Sequence, residues 1–157
     1  MAIDLSTLLS TGTVLAGIDA AGRKQVIVAL AEALAEKLSV DAREVIDAVM
    51  EREHLGSTGV GDGVAIPHAR VHGIEAPVGA FVRLGTPVDF DAVDERPCDL
   101  VFMLLAPLDA GADHLRALAQ VSRAFRQPAL RERLRGAGSE AEIEAILCQR
   151  AEDASAA

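Results

Sequence analysis

The chain has 157 residues, half of them apolar, and its 15 basic and 24 acidic side chains give a formal charge of −9. That length suits one domain burying about 70% of its unfolded surface. The acidic balance argues against a broad basic face for nucleic acid or an anionic membrane. With no Trp, no Tyr and four Phe, the chain also lacks platforms on which single-stranded bases stack, and its core must be aliphatic.

The start, MAIDLSTLL, has no basic flank before its apolar positions and does not read as a secretory signal. The longest apolar run, Leu100 to Leu108, is far short of the ~20 residues a membrane-spanning helix needs. A cytoplasmic protein without membrane insertion is expected: one domain over residues 1–150, then a frayed tail, AEDASAA, at 151–157. Cys98 and Cys148 show no CxxC spacing and read as reduced, structural thiols.

A short apolar run, Val14 to Ile18, precedes Asp19, which is placed to cap a helix with Val26, Ile27, Leu30, Leu34 and Leu38 on its apolar face. Asp41 with Glu44 makes a capping-box-like start to a second helix, whose stripe is Val45, Ile46, Val49 and Met50. Gly56 stops it, which leaves Arg52 and Glu53 in the last turn. VGAFVRL and CDLVFMLLA then read as strands, the second one central, separated by the turn-forming segment TPVDFDAVDERP. Beyond Asp109 to Asp113 a helix is expected with Leu115, Leu118, Val121 and Phe125 on one face, and Pro128 ends or restarts it. Ser139 with Glu142 opens a last helix carrying Ile143, Ile146 and Leu147. Helices on both sides of a block of strands predict a three-layer α/β/α sandwich around a mixed sheet.

The densest chemical signal is GSTGVGDGVAIPHAR, Gly56 to Arg70, a glycine-rich loop that leads to His68. Such loops bring backbone N–H groups close to an anion, and the histidine offers a nitrogen nucleophile. Neither nucleotide fingerprint fits: Val64 stands where the third glycine of GxGxxG falls, and Asp62 replaces the lysine of GxxxxGK[ST]. On their own, without the histidine, the glycines are better explained by tight turns between a helix and a strand. His68 and His72 have the i, i+4 spacing of zinc helices, but Pro67 and Gly73 argue against a helix there and HExxH is absent, so no metal is expected. His54 and His72 read as ordinary surface or core histidines.

The segment EREHLGSTGVGDGVAIPHAR, Glu51 to Arg70, resembles the active-site signature of the type-2 enzyme IIA domains of the bacterial phosphoenolpyruvate-dependent phosphotransferase system. TPVDFDAVDERPCDLVFMLLAP and DHLRAL are similar to the nitrogen-regulatory branch, and the likeness runs from about Leu5 to Leu147. The resemblance implies that His68 is phosphorylated at Nε2, leaving Nδ1 for an orienting hydrogen bond, and that Arg52 and His114 are its active-site companions. Two positions depart from the family's pattern: His54 stands where lysine is common, and Ala69 follows the active histidine where glycine is common. Ala69 could alter the loop backbone and partner docking.

As chemistry, neutral imidazole is a good nucleophile near pH 7, and phosphoryl transfer asks mainly for positioning and for charge stabilisation on the equatorial oxygens. Arg52 supplies a permanent cation, and it would also complement the negative end of its helix. His114, near a helix start, can donate one hydrogen bond to phosphate while neutral. Ser57, Thr58 and the backbone at Gly59 are further phosphate-binding candidates, although turn hydroxyls more often serve the local backbone.

The expected protein is thus a phosphotransferase component with a phosphohistidine intermediate and no cofactor, regulatory rather than metabolic. The resemblance implies an HPr-type (NPr-like) phosphocarrier as donor and regulated targets of the kind that govern potassium transport, sensor kinases, nitrogen metabolism or stress responses. Two alternatives stay open: a sugar-specific IIA, of fructose or mannitol type, passing phosphate to a IIB component, and a binding module that is never phosphorylated. A metal-dependent hydrolase is a distant fourth.

Overall fold

The structure is a computed structural model and describes residues 5–148; the tail expected at 151–157 lies outside them. In chain order the elements are α1 (Ser6–Leu9), β1 (Thr13–Leu15), α2 (Arg23–Leu38), α3 (Ala42–Leu55), β2 (Gly59–Gly61), β3 (Val64–Ala65), β4 (His68–Val71), β5 (Val78–Val88), β6 (Cys98–Pro107), α4 (Ala112–Phe125), α5 (Pro128–Gly136) and α6 (Glu140–Leu147). The six strands form one mixed sheet in the order β1-β5-β6-β3-β2, with β4 also paired to β6.

Strand β6 is the central one, as its unbroken apolar run implies. It runs antiparallel to β5 and parallel to β3 and β4. Its side chains alternate between two cores. Met103 and Leu105 join α2 and α3 on one face, while Leu100, Phe102 and Leu104 join α1, α4, α5 and α6 on the other. Both faces of the sheet are therefore covered by helices, in the three layers expected from the order of elements.

Several local signals act as read. The Asp41 side chain accepts from the Arg43 amide at the start of α3, Ser139 accepts from the Glu142 amide at the start of α6, and Pro128 opens α5. Three expectations need correction. Asp19 does not cap α2: the N-cap is Gly22, in extended backbone, and the Gln25 side chain reaches back to accept from the Ala21 amide. That third-position glutamine satisfies a free donor without a capping oxygen ahead of it. Leu115 is 67% exposed, because the buried face of α4 runs through His114, Ala117, Val121, Ala124 and Phe125. Finally, the glycine run does more than turn. It contributes β2 and β3, an antiparallel pair joined where Gly61, Asp62 and Gly63 take φ of 101°, 58° and 79° in succession. Backbone of that hand explains why two of these three positions are glycine.

Candidate active site

The site lies where β4 begins, between the end of α3 and the start of α4. An open cleft of about 570 Å³ is lined by Ala48, Glu51, Arg52, Leu55, His68, Ala69, Arg70, Leu108 and His114. His68 is the first residue of β4 and sits opposite Leu104 of β6, so the rigid centre of the sheet holds its backbone. Pro67 precedes it, and the Pro67 carbonyl accepts from the Leu104 amide at 2.9 Å.

The orienting hydrogen bond of the His68 ring is to a backbone carbonyl: Nδ1 lies 2.7 Å from the Ile66 oxygen. A carbonyl only accepts, so Nδ1 carries the hydrogen and, in the neutral ring, Nε2 carries the lone pair. Burial pushes His68 below the usual histidine range; the Ile66 hydrogen bond opposes this, Arg52 adds to it and Glu53 counters. The ring is therefore neutral at pH 7.

His114, in the first turn of α4, is 9% exposed, and its ring centroid stands 5.7 Å from that of His68. Burial also lowers its pKa, with the neighbouring His68 and Arg70 contributing. Its buried Nδ1 has no hydrogen-bond partner among the described residues. An unmet buried polar atom is costly, and here it belongs to the ring that stands beside His68.

Arg52 donates from Nη1 to the Gly56 carbonyl at 2.9 Å, so it caps the end of α3 as well as lining the cleft. Arg70, absent from the expected site residues, also lines the cleft. Its signal is the two-residue spacing from His68 on a strand, which puts both on one face. The loop candidates stand elsewhere. The Ser57 hydroxyl donates to the Phe90 carbonyl and accepts from the Gly59 amide at 2.9 Å, while the Thr58 hydroxyl donates to Glu53. Gly59 is paired with Ala65. The structure thus brings His68, His114 and Arg52 together, and Ser57, Thr58 and Gly59 are not part of the cleft lining.

Of the other polar candidates, His72 pairs with Glu44 at 2.8 Å on the surface. Among the described residues no group of three or more His, Cys, Asp or Glu is arranged to hold a metal ion, and no helix is long and apolar enough to cross a membrane. Cys98 and Cys148 are buried and form no disulfide, and burial pushes the Cys98 thiol up to about 12.

A three-layer fold with paired neutral histidines and an arginine in one cleft is the build of a phosphotransferase-system component, and the chain belongs to the family described as phosphoenolpyruvate-dependent sugar phosphotransferase system, EIIA 2, whose model matches residues 7–149. Within that family it is similar to nitrogen regulatory proteins. It is 39% identical over 143 residues to the nitrogen regulatory protein of Bradyrhizobium diazoefficiens, covering 91% of this chain and 94% of the relative. The crystal structure of nitrogen regulatory protein IIA-Ntr from Neisseria meningitidis superposes with a TM-score of 0.82 at 37% identity, covering 91% of this chain and 98% of that one. A sugar-type relative is also present: the fructose-specific EIIA component of Haloferax volcanii is 40% identical over 118 residues, 71% of this chain and 77% of the relative.

Proposed function

We propose that His68 accepts a phosphoryl group on Nε2 from the phosphohistidine of an HPr-type carrier, and that the protein then regulates partner proteins according to its phosphorylation state. The observation that carries this reading is the Nδ1–Ile66 hydrogen bond, which leaves the Nε2 lone pair on the neutral ring as the nucleophile. The Nε2 lone pair forms the new N–P bond as the donor's N–P bond breaks. The donor imidazole keeps that electron pair and takes a proton from solvent. His68 retains its Nδ1 proton, and the positive charge that develops on its ring faces the Ile66 carbonyl.

Arg52, Arg70 and a ring N–H of His114 supply the charge and the donors for the equatorial oxygens. The donor docks on an exposed apolar rim: Leu55 and Leu108, 81% and 48% exposed, line the cleft, and Leu115, 67% exposed, follows His114. Phosphorylation adds about two negative charges and three acceptor oxygens within this rim, enough to reverse a partner's preference for it. The nitrogen-regulatory kinship supports the regulatory role.

The second reading, a sugar-type IIA that passes phosphate to a IIB component, is favoured by the fructose-specific relative. Loading His68 with phosphate and offering it to fructose- and mannitol-type IIB proteins separates the two. The regulatory reading expects transfer back to the carrier and none of kinetic consequence to IIB; rapid transfer to a IIB protein overturns it in favour of sugar import.

A further inference from the structure

Glu53 stands next to Arg52 in the last turn of α3, but points the other way, into the protein, where it is 3% exposed. A carboxylate so placed is costly unless several donors converge on it, and apolar packing would serve the core at least as well. Its donors are informative. The Thr58 hydroxyl donates to Oε1, the Thr58 amide approaches Oε2 at a long 3.5 Å, and Arg23 Nη1 stands 3.4 Å from the same oxygen. Two of the three thus come from one residue of the glycine-rich loop, itself 4% exposed.

From Thr58 the connection continues to the nucleophile. The Thr58 carbonyl accepts from the Ile66 amide at 2.9 Å, and the Ile66 carbonyl accepts from His68 Nδ1 at 2.7 Å. Ile66 lies between β3 and β4, outside the ladder that each forms with β6. Its next neighbour, Pro67, has no N–H to offer. The one carbonyl that fixes the His68 ring is therefore anchored through its own residue's amide to Thr58, and Thr58 to the buried carboxylate.

We propose that Glu53 is a positioning residue for His68, acting through Thr58 and Ile66 to hold the imidazole as the Nδ1–H tautomer with Nε2 presented to the cleft. It rests on His68 being the phosphoryl acceptor. Glu53 touches neither the phosphate nor the partner; it fixes the depth and angle of the loop from which the Ile66 carbonyl projects.

The test compares wild type with Glu53→Met, Thr58→Val and Thr58→Ser. Glu53→Met keeps the length and apolar bulk of the side chain without its acceptors, and Thr58→Val keeps the shape of threonine without its hydroxyl. Long-range ¹H–¹⁵N spectra at pH 8 report the His68 tautomer in the unphosphorylated protein, and rapid-quench kinetics report phosphoryl acceptance from an HPr-type carrier. The expected result is a single Nδ1–H form in wild type and a mixture of tautomers in Glu53→Met and Thr58→Val. The acceptance rate in those two falls roughly ten- to a hundredfold, with KM for the carrier unchanged. Thr58→Ser restores both readouts. Folded variants with the wild-type tautomer and rate overturn the proposal, whatever their thermal stability. Should Glu53→Met fail to fold, the Thr58 pair decides. Should wild type accept no phosphate, the function proposed above fails, while the tautomer spectra still decide whether Glu53 positions His68.

Discussion

Gly79 lies on a line that crosses the sheet and ends at His68: it pairs with Leu104 of β6, and Leu104 pairs with His68 of β4. A Cβ at position 79 would stand 2.4 Å and 2.5 Å from two ring carbons of Phe102. Ordinary carbon contacts lie at 3.5–4.0 Å, so the ring must withdraw by about 1 Å. Phe102 is fully buried and its ring packs 6.0 Å from that of Phe125 in α4, the helix that carries His114. The withdrawal has no solvent to move into. Overpacking of this kind costs about 1–3 kcal/mol, and two contacts this short put Gly79→Ala near the upper end. Restriction of the unfolded chain returns about 0.4–1 kcal/mol, for a net loss of about 2 kcal/mol. For a chain of this size that is a fall in Tm of about 4–8 °C. Thermal unfolding followed by circular dichroism measures it, and a double-mutant cycle with Phe102→Leu isolates its cause. The smaller, ringless leucine should recover at least about 1 kcal/mol of coupling. A Gly79→Ala protein as stable as wild type, or costs that simply add in the double variant, would rule out the clash with Phe102 as the cause.

Three further predictions concern the site and the thiol. His114→Ala should leave the fold intact, judged by its circular dichroism spectrum, and lower the phosphoryl acceptance rate about a hundredfold, the usual cost of one lost donor to transferring charge; quench-flow with a labelled carrier checks this. Burial holds both His68 and His114 below the ordinary value of 6.5, so the unfolded chain binds more protons than the folded one as pH falls through 6.5, and folding stability declines there. Urea midpoints measured from pH 7.5 to 5.5 should show a decline that is shallower in a His68→Gln, His114→Gln double variant; an equal slope would contradict the assignment. Cys98, fully buried and with its thiol pushed up to about 12, should resist iodoacetamide at pH 8 in the native protein and react in urea, as peptide mass analysis would show.

Much of this molecule is legible in its sequence where a side chain acts on its own backbone. Asp41, Ser139 and Pro128 each mark a helix start, because one oxygen or one missing N–H decides the matter locally. The central strand shows itself by nine apolar residues in succession. The start of α2 does not, since no side chain caps it and Gln25 instead ties the first turn back to the Ala21 amide ahead of the N-cap. The face of α4 misleads because one of its buried positions is polar. His114 occupies a core-facing position that a purely apolar period leaves out, which turns the expected stripe toward the exposed Leu115.

The same distinction runs through the site. The glycine-rich loop and its histidine stand out in the sequence because their residue types are chemically specific. Arg70 and the His68–Ile66 bond depend on strand register and on a carbonyl's direction, which no residue type announces. Ser57 and Thr58 look like phosphate donors only until Phe90 and Glu53, 33 and 5 residues away, are found to occupy their hydroxyls. Glu53 is inconspicuous in the sequence beside Arg52, and only its burial separates the two roles.

The most direct measurement is intact-mass analysis after incubation with phosphoenolpyruvate, enzyme I and an HPr-type carrier, comparing wild type with His68→Ala. One acid-labile phosphoryl group is expected on wild type and none on the folded variant. A wild-type mass that stays unchanged with a donor set shown to be competent, or a label retained in full by His68→Ala, would contradict it.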